Sequence, residues 1–230
     1  MRAVEFAFLA SLATATPALA ADFSPQPTEP VAYNWSGIYV GAQAGYVWGN
    51  STYDGAGSTA GPPFFSASVD PKGGFGGAYV GYNYQFAGNY VVGIEADANF
   101  TNAKGDGAFA GSPPSVFASG DLKWFGSARL RAGYAFDRFL PFVTAGLAVG
   151  DYSGVFNFPG GSIENSDTMV GWTAGVGLDY AITDNLIARV EYRYSDYGRK
   201  SQSAPFNFPG QQARLDLNTN DVRVGLSYKF

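Results

Sequence analysis

The sequence predicts an all-β fold: an eight-stranded antiparallel transmembrane up-and-down β-barrel with short periplasmic turns and four long extracellular loops. Three observations predict it. Apolar residues recur with a period of two along almost the whole chain. The connections alternate between short and long. An export signal opens the chain, while no later stretch is apolar for the roughly 18 residues that a membrane helix needs.

The start of the chain is read first. "MR" is a short basic beginning, "FAFLASLATAT" an apolar run and "PALA" a small-residue cleavage site, which makes 1–20 a signal peptide. Segment 21–36, "ADFSPQPTEPVAYNWS", is Pro-rich and polar and reads as an extended periplasmic leader. Residues 37–230 form the barrel.

Eight alternating segments follow. In "GIYVGAQAGYVW", Ile38, Val40, Ala42, Ala44, Tyr46 and Trp48 share a face. "GGAYVGYNYQF" aligns Ala78, Val80, Tyr82, Tyr84 and Phe86, and "YVVGIEADANF" aligns Tyr90, Val92, Ile94, Ala96, Ala98 and Phe100. "LKWFGSARLRAGY" sets Leu122, Trp124, Ala128, Leu130 and Tyr134 against Lys123, Ser127, Arg129 and Arg131. "PFVTAGLAVG" is the weakest case, with Val143, Ala145, Leu147 and Val149. "MVGWTAGVGLDY" aligns Val170, Trp172, Ala174, Val176, Leu178 and Tyr180. "LIARVEYRYSDY" aligns Leu186, Ala188, Val190, Tyr192 and Tyr194, and "DVRVGLSYKF" aligns Val222, Val224, Leu226, Tyr228 and Phe230. Each is about the 9–11 residues of a tilted membrane strand. "AGN", "AFDR" and "AITDN" are tight turns. The stretches 49–74, 101–120, 151–167 and 198–217 are the long loops.

Two features separate this pattern from a secreted sandwich, which buries its apolar face. The strand charges Glu95, Asp97, Lys123, Arg129, Arg131, Asp179, Arg189, Glu191, Arg193, Arg223 and Lys229 all fall opposite the aliphatic face. Facing lipid, an Arg or Lys near the midplane would cost about 2–4 kcal/mol. The aliphatic face also carries aromatic residues at its ends. Trp48, Trp124 and Trp172 lie toward the outer rim, and Tyr84, Tyr134 and Tyr180 toward the periplasmic rim. Two girdles around an apolar band match two lipid–water interfaces.

The pieces "NWSGIYVGAQAGY", "RAGYAFDRFLPFVTAG", "GWTAGVGLDYAITDN", "EYRYSDYG" and the terminal "VGLSYKF" are similar to the small outer-membrane beta-barrel ("porin family") proteins of alpha-proteobacteria, the major surface antigen group. The similarity runs in order from about Trp35 to Phe230. It implies a Gram-negative cell outer membrane and a structural and antigenic role. It also implies that the barrel-assembly machinery reads a terminal aromatic signal, which maps to Val222, Val224, Leu226, Tyr228 and Phe230. The family label implies a narrow channel for small solutes as the alternative. Some relatives are linked to haem, a reading weakened by the lack of His.

Little in the composition suggests catalysis. With His 0 and Cys 0, Ser-His-Asp and Cys nucleophile chemistry are excluded, as is a disulfide framework. Glu95 and Asp97 share a face, with Lys123, Arg129 and Arg131 on the adjacent strand. They read as a lumen ion-pair network together with Asp179, Arg189, Glu191, Arg193 and Arg223, in preference to an acid/base pair. An eight-stranded lumen is just filled by side chains, so these charges plug it. "GGFGG" at 73–77 is not followed by a helix and is no phosphate loop. No cofactor and no metal site is expected. A net charge of −5 without a basic patch excludes nucleic acid. Expected partners are outer-membrane lipid and lipopolysaccharide, with Lys72, Lys104, Arg199, Lys200 and Arg214 near the outer headgroups. "FNFPG" occurs at Phe156–Gly160 and at Phe206–Gly210, and reads as the crown of a repeated hairpin. Phe156, Phe158, Phe206 and Phe208 then form a possible loop patch for ligand or host-surface binding.

Overall fold

The computed structural model describes residues 33–56, 63–108, 117–158, 161–203 and 212–230. Its strands are β1 (Gly37–Ala56), β2 (Pro63–Val69), β3 (Lys72–Phe86), β4 (Tyr90–Ala108), β5 (Phe117–Tyr134), β6 (Phe139–Phe158), β7 (Gly161–Ala181), β8 (Leu186–Ser203) and β9 (Gln212–Lys229). Each pairs antiparallel with the next around the wall, and β1 pairs with β9 to close the sheet. β2 is the outward continuation of β3. Trp48 faces Lys72 and Ser51 faces Val69, so the register is unchanged across Asp70–Pro71. Proline has no N–H for the ladder, and here its carbonyl accepts from Gly49 N at 2.9 Å. The wall therefore has eight strands. Closure leaves no edge to face lipid.

The pleat decides which side chains face lipid. Ile38, Val40, Ile94, Leu130, Leu147, Val176 and Val224 are all exposed outward, while the alternate residues between them point into the lumen. The tight turns lie at 87–89, 135–138 and 182–185. Ala87 and Asp137 take positive φ (46° and 52°), with Gly88 at 81° completing the first.

Three expectations need correction. The strands are far longer than a bilayer requires, from 15 to 21 residues apart from β2. The stretches expected to be loops are largely paired ladder. Backbone hydrogen bonding continues past the membrane, although the apolar alternation that marks a strand ends with the lipid. Second, β5 carries a bulge. Leu122 faces Tyr152 and Trp124 faces Asp151, leaving Lys123 as the extra residue. One inserted residue reverses the pleat. Leu122 therefore turns into the lumen and Lys123 is exposed, the reverse of the sequence reading. Third, Tyr33–Ser36 is not free leader but part of the barrel floor, where Tyr33 and Trp35 are buried. Residues 1–32 lie outside the described residues.

Val176 stands on the lipid face, 54% exposed. Val176→Arg is expected to destabilise the barrel by about 2–4 kcal/mol, measured by urea unfolding in lipid vesicles.

Candidate functional site: the lumen

The inward-facing side chains fall into successive layers. At the periplasmic end Tyr33, Trp35, Val91, Ala135, Leu140, Ala181 and Ile187 form an apolar floor. Trp35 Nε1 donates to the Asp137 carbonyl at 2.9 Å, and Trp35 N donates to Gln85 Oε1 at 2.8 Å. Tyr33 stacks edge-on against Trp35, 4.8 Å between ring centroids, and its hydroxyl donates to the Asp184 carbonyl at 3.1 Å. Lys229 lies over the Tyr33 ring at 4.1 Å and donates to the Asn34 carbonyl. The floor segment thus ties the first strand to the last.

Above it lies a layer of charge. Glu95, Asp97, Asp179, Glu191 and Asp221 face Arg129, Arg131, Arg189, Arg193 and Arg223, all buried, so the formal charges balance. Some pairs are set by the ladder: Glu95 opposite Arg129, Asp179 opposite Arg189, Arg193 opposite Asp221. Further contacts run along a strand, between neighbours or across the lumen. Arg189 donates to Asp179 Oδ1 through Nε at 2.7 Å and to Glu95 Oε2 through Nη1 at 2.6 Å. Arg193 Nη1 reaches Asp97 Oδ2 at 3.0 Å, and its Nη2 reaches Glu191 Oε2 at 3.3 Å. Arg129 bridges Glu95 and Glu191. Arg131 Nη2 meets Asp179 Oδ2 at 2.8 Å, and Arg223 Nε meets Asp221 Oδ1 at 2.7 Å.

Aromatic rings pack around the guanidinium groups. Arg131 lies 4.1 Å from the Phe142 centroid, and Arg189 lies 4.6 Å from that of Tyr79. Tyr39 donates to Glu95 Oε2 at 2.7 Å and accepts from Arg131 at 3.0 Å. Glycine makes room for the rings. A Cβ on Gly41 would stand 2.5 Å from the Tyr79 ring, and one on Gly81 would collide with Tyr39. Further out, Val47, Phe75, Ala103, Leu122 and Phe125 form a second apolar layer.

The structure thus brings together Glu95, Asp97, Arg129, Arg131, Asp179, Arg189, Glu191, Arg193 and Arg223, with Lys123 outside the lumen. Asp221 and Tyr39 join the network unannounced by the sequence reading. Asp221 could have been found, since it alternates with Arg223 in "NDVRV". Trp48, Trp172, Tyr84 and Tyr180 are exposed on the outer wall, and Trp124 and Tyr134 are half-buried there. Val222, Val224, Leu226, Tyr228 and Phe230 are exposed along the β9 edge of the seam. Phe206 and Phe208 lie outside the described residues. For Phe156 and Phe158 the description extends to their backbone pairing with Ile163 and Gly161. The "DY" pairs that precede each "FNFPG" copy occupy β6 and β8, with Tyr152 and Tyr197 both buried.

A closed barrel with aliphatic residues outside and charges inside defines an integral outer-membrane protein. The match to the outer membrane protein beta-barrel domain runs over residues 6–230, and the chain belongs to that family. It is 35% identical to the 25 kDa outer-membrane immunogenic protein of Brucella abortus biovar 1 (strain 9-941), over 99% of this chain and 96% of that one. It is 30% identical to the 22 kDa outer membrane protein of Rhizobium leguminosarum bv. viciae, over 89% and 82%. The outer membrane protein OprG of Pseudomonas aeruginosa shares the fold, with a TM-score of 0.56 at 16% identity, covering 85% of this chain and 96% of that one. The protein is thus one of the outer-membrane proteins of Gram-negative bacteria, and its Brucella relatives are named outer-membrane immunogenic proteins.

Removing one partner of a buried ion pair strands the other. Arg193→Met is expected to cost about 3–5 kcal/mol in urea unfolding. Asp179→Leu combined with Arg189→Met should cost less than the two changes summed, because each single variant leaves an unpaired charge. The floor has its own pH dependence. Burial, with Asp184 nearby, pushes the Tyr33 phenol up to about 12. The free segment would ionise near its usual value of about 10. The floor contribution is therefore full below pH ~10 and is lost as pH rises through about 12. Trp35 fluorescence should report that loss, and Tyr33→Phe should flatten it.

Proposed function

We propose that the protein is a non-enzymatic structural barrel of the outer membrane, which supports envelope integrity and displays its outer strands and loops at the cell surface. The observation that supports this reading is the succession of buried layers inside the wall. An apolar floor, a neutral charged layer and an outer apolar layer succeed one another inside one wall. A solute crossing it would have to separate buried Arg–carboxylate pairs, each worth several kcal/mol when broken. The names of the Brucella relatives, "outer-membrane immunogenic protein", support surface display.

The same reading assigns the remaining roles. Trp48, Trp124, Trp172, Tyr84, Tyr134 and Tyr180 anchor the wall at the two interfaces. Val222, Val224, Leu226, Tyr228 and Phe230 serve as the assembly signal for the barrel-assembly machinery. Lys72, Lys104, Arg199, Lys200 and Arg214 meet acidic groups of the outer leaflet.

Planar bilayers test the filled lumen. The purified protein is expected to give no reproducible conductance steps, and its deletion should sensitise cells to detergent with a chelator. Steps of uniform size, altered by Arg129→Lys or Arg193→Lys, would overturn the reading in favour of a narrow channel.

A further inference from the structure

The outer wall is not uniform. Outward-facing residues of β3 read Val80, Ala78, Gly76, Gly74, Lys72 from midplane to rim, all exposed. On β4 the matching row is Ala96, Ala98, Phe100, Asn102, Lys104. Small side chains here leave a groove of about 680 Å³, floored by Gly81, Ala96, Ala128 and Gly146 and flanked by Ile94 and Leu147. It continues outward into a second recess of about 330 Å³ at Ala78 and Ala98, with Val80 and Ala96 common to both.

Nothing inside the protein requires the glycines at the outer end of this track. A Cβ at Gly74 or Gly76 would find its nearest atoms at 3.8 and 3.9 Å, and neither glycine has positive φ. The inward-facing Gly77, by contrast, would collide with the Ala98 carbonyl. What Gly74 and Gly76 keep clear is the space outside the wall.

The track ends on positive charge. Lys72 stands directly opposite Lys104 in the ladder, an arrangement that is unfavourable for like charges on their own. The β5 bulge puts a third, Lys123, on the next strand, outside the lumen. Asp121 reaches Lys104 only at 3.9 Å, with both side chains exposed, and Asp70 and Asp106 stand one pleat further out. From Val80 to Lys72 the strand rises about 26 Å, or ~20 Å along the membrane normal at barrel tilt. That is the span from bilayer midplane to headgroups.

We propose that β3, β4 and β5 form a site for one lipopolysaccharide molecule. An acyl chain lies in the groove past Val80, Ala78, Gly76 and Gly74, and the acidic headgroup rests on Lys72, Lys104 and Lys123. Three lysines on three strands span about 10 Å, which suits a headgroup with several acidic groups better than a single phosphodiester. This site rests on the outer-leaflet contact proposed above and narrows it to one wall.

Native mass spectrometry of barrels extracted from the outer membrane tests it, with heat-shifted gel mobility confirming that each variant is folded. The wild type should retain about one lipopolysaccharide. Lys72→Gln/Lys104→Gln/Lys123→Gln should weaken retention about a hundred-fold, at roughly one interaction of Lys with an anionic surface per residue. Gly74→Leu/Gly76→Leu, which fills only outside space, should lose the lipid with the lysines intact. Arg199→Gln/Lys200→Gln/Arg214→Gln should keep it. Loss in that last variant alone would overturn this site but leave the general contact standing. Unchanged retention in all three would sink both. Retention of phospholipid alone would overturn the choice of lipid.

Discussion

The interaction on which the rest of this structure depends is the neutral ion-pair layer centred on β8. In the middle of the membrane, lipid takes the aliphatic half of each strand. What remains for the lumen there is the polar half, and that half must be close-packed or filled with water. Here Arg189, Glu191 and Arg193 project from β8 at successive inward positions; Arg189 and Arg193 reach Glu95 and Asp97 on β4 across the lumen, and Glu191 meets Arg129 of β5. Arginine suits this span. Its long stem crosses the lumen, its planar fork takes two acceptors, and its faces pack on Phe142 and Tyr79.

Such a layer is favourable only when every charge has a partner, since desolvation would otherwise exceed the Coulombic gain. The apolar layers on either side serve that condition. Trp35 and its neighbours lie at the periplasmic end, and Phe75, Phe125 and Leu122 on the outer side. Buried between them, each ion pair is stronger and less screened than at a surface. Opposite walls are therefore joined by bonds that must break together, and rigidity of the wall follows from the chemistry of the lumen.

The eight-strand pattern was legible because the pleat repeats with period two and lipid enforces it. The tight turns were legible because Gly, Asp and Asn mark them. Asp179, Arg189, Glu191 and Arg193 could be placed in the lumen from alternation alone. The strand extensions beyond the bilayer were not legible, since outside lipid neither face is obliged to be apolar and the ladder leaves no hydropathy signal. Trp35 reads as leader in the sequence because two aromatics, Tyr33 and Trp35, after a Pro-rich stretch are too few to set a period. Its role depends on Gln85 near the end of β3 and on Asp137 in a turn, both distant in the chain.

Lys123 shows how much one residue outside the period can decide. Alternation assigned it to the lumen beside Arg129 and Arg131. The inserted position instead shifts the pleat between Leu122 and Trp124. Below the shift, Ser127, Arg129 and Arg131 face inward and extend the charged layer. Above it, Leu122 faces inward and joins Val47, Phe75 and Phe125. On this strand the apolar layer thus spans the bulge, from Leu122 to Phe125, and the charged layer begins at Ser127. The same insertion carries a cation that would have had no carboxylate partner in a balanced network to the outside of the wall. There it stands with Lys104 and Lys72 at the level of the outer headgroups. Lumen neutrality and a basic outer rim are, on this strand, two results of a single added residue.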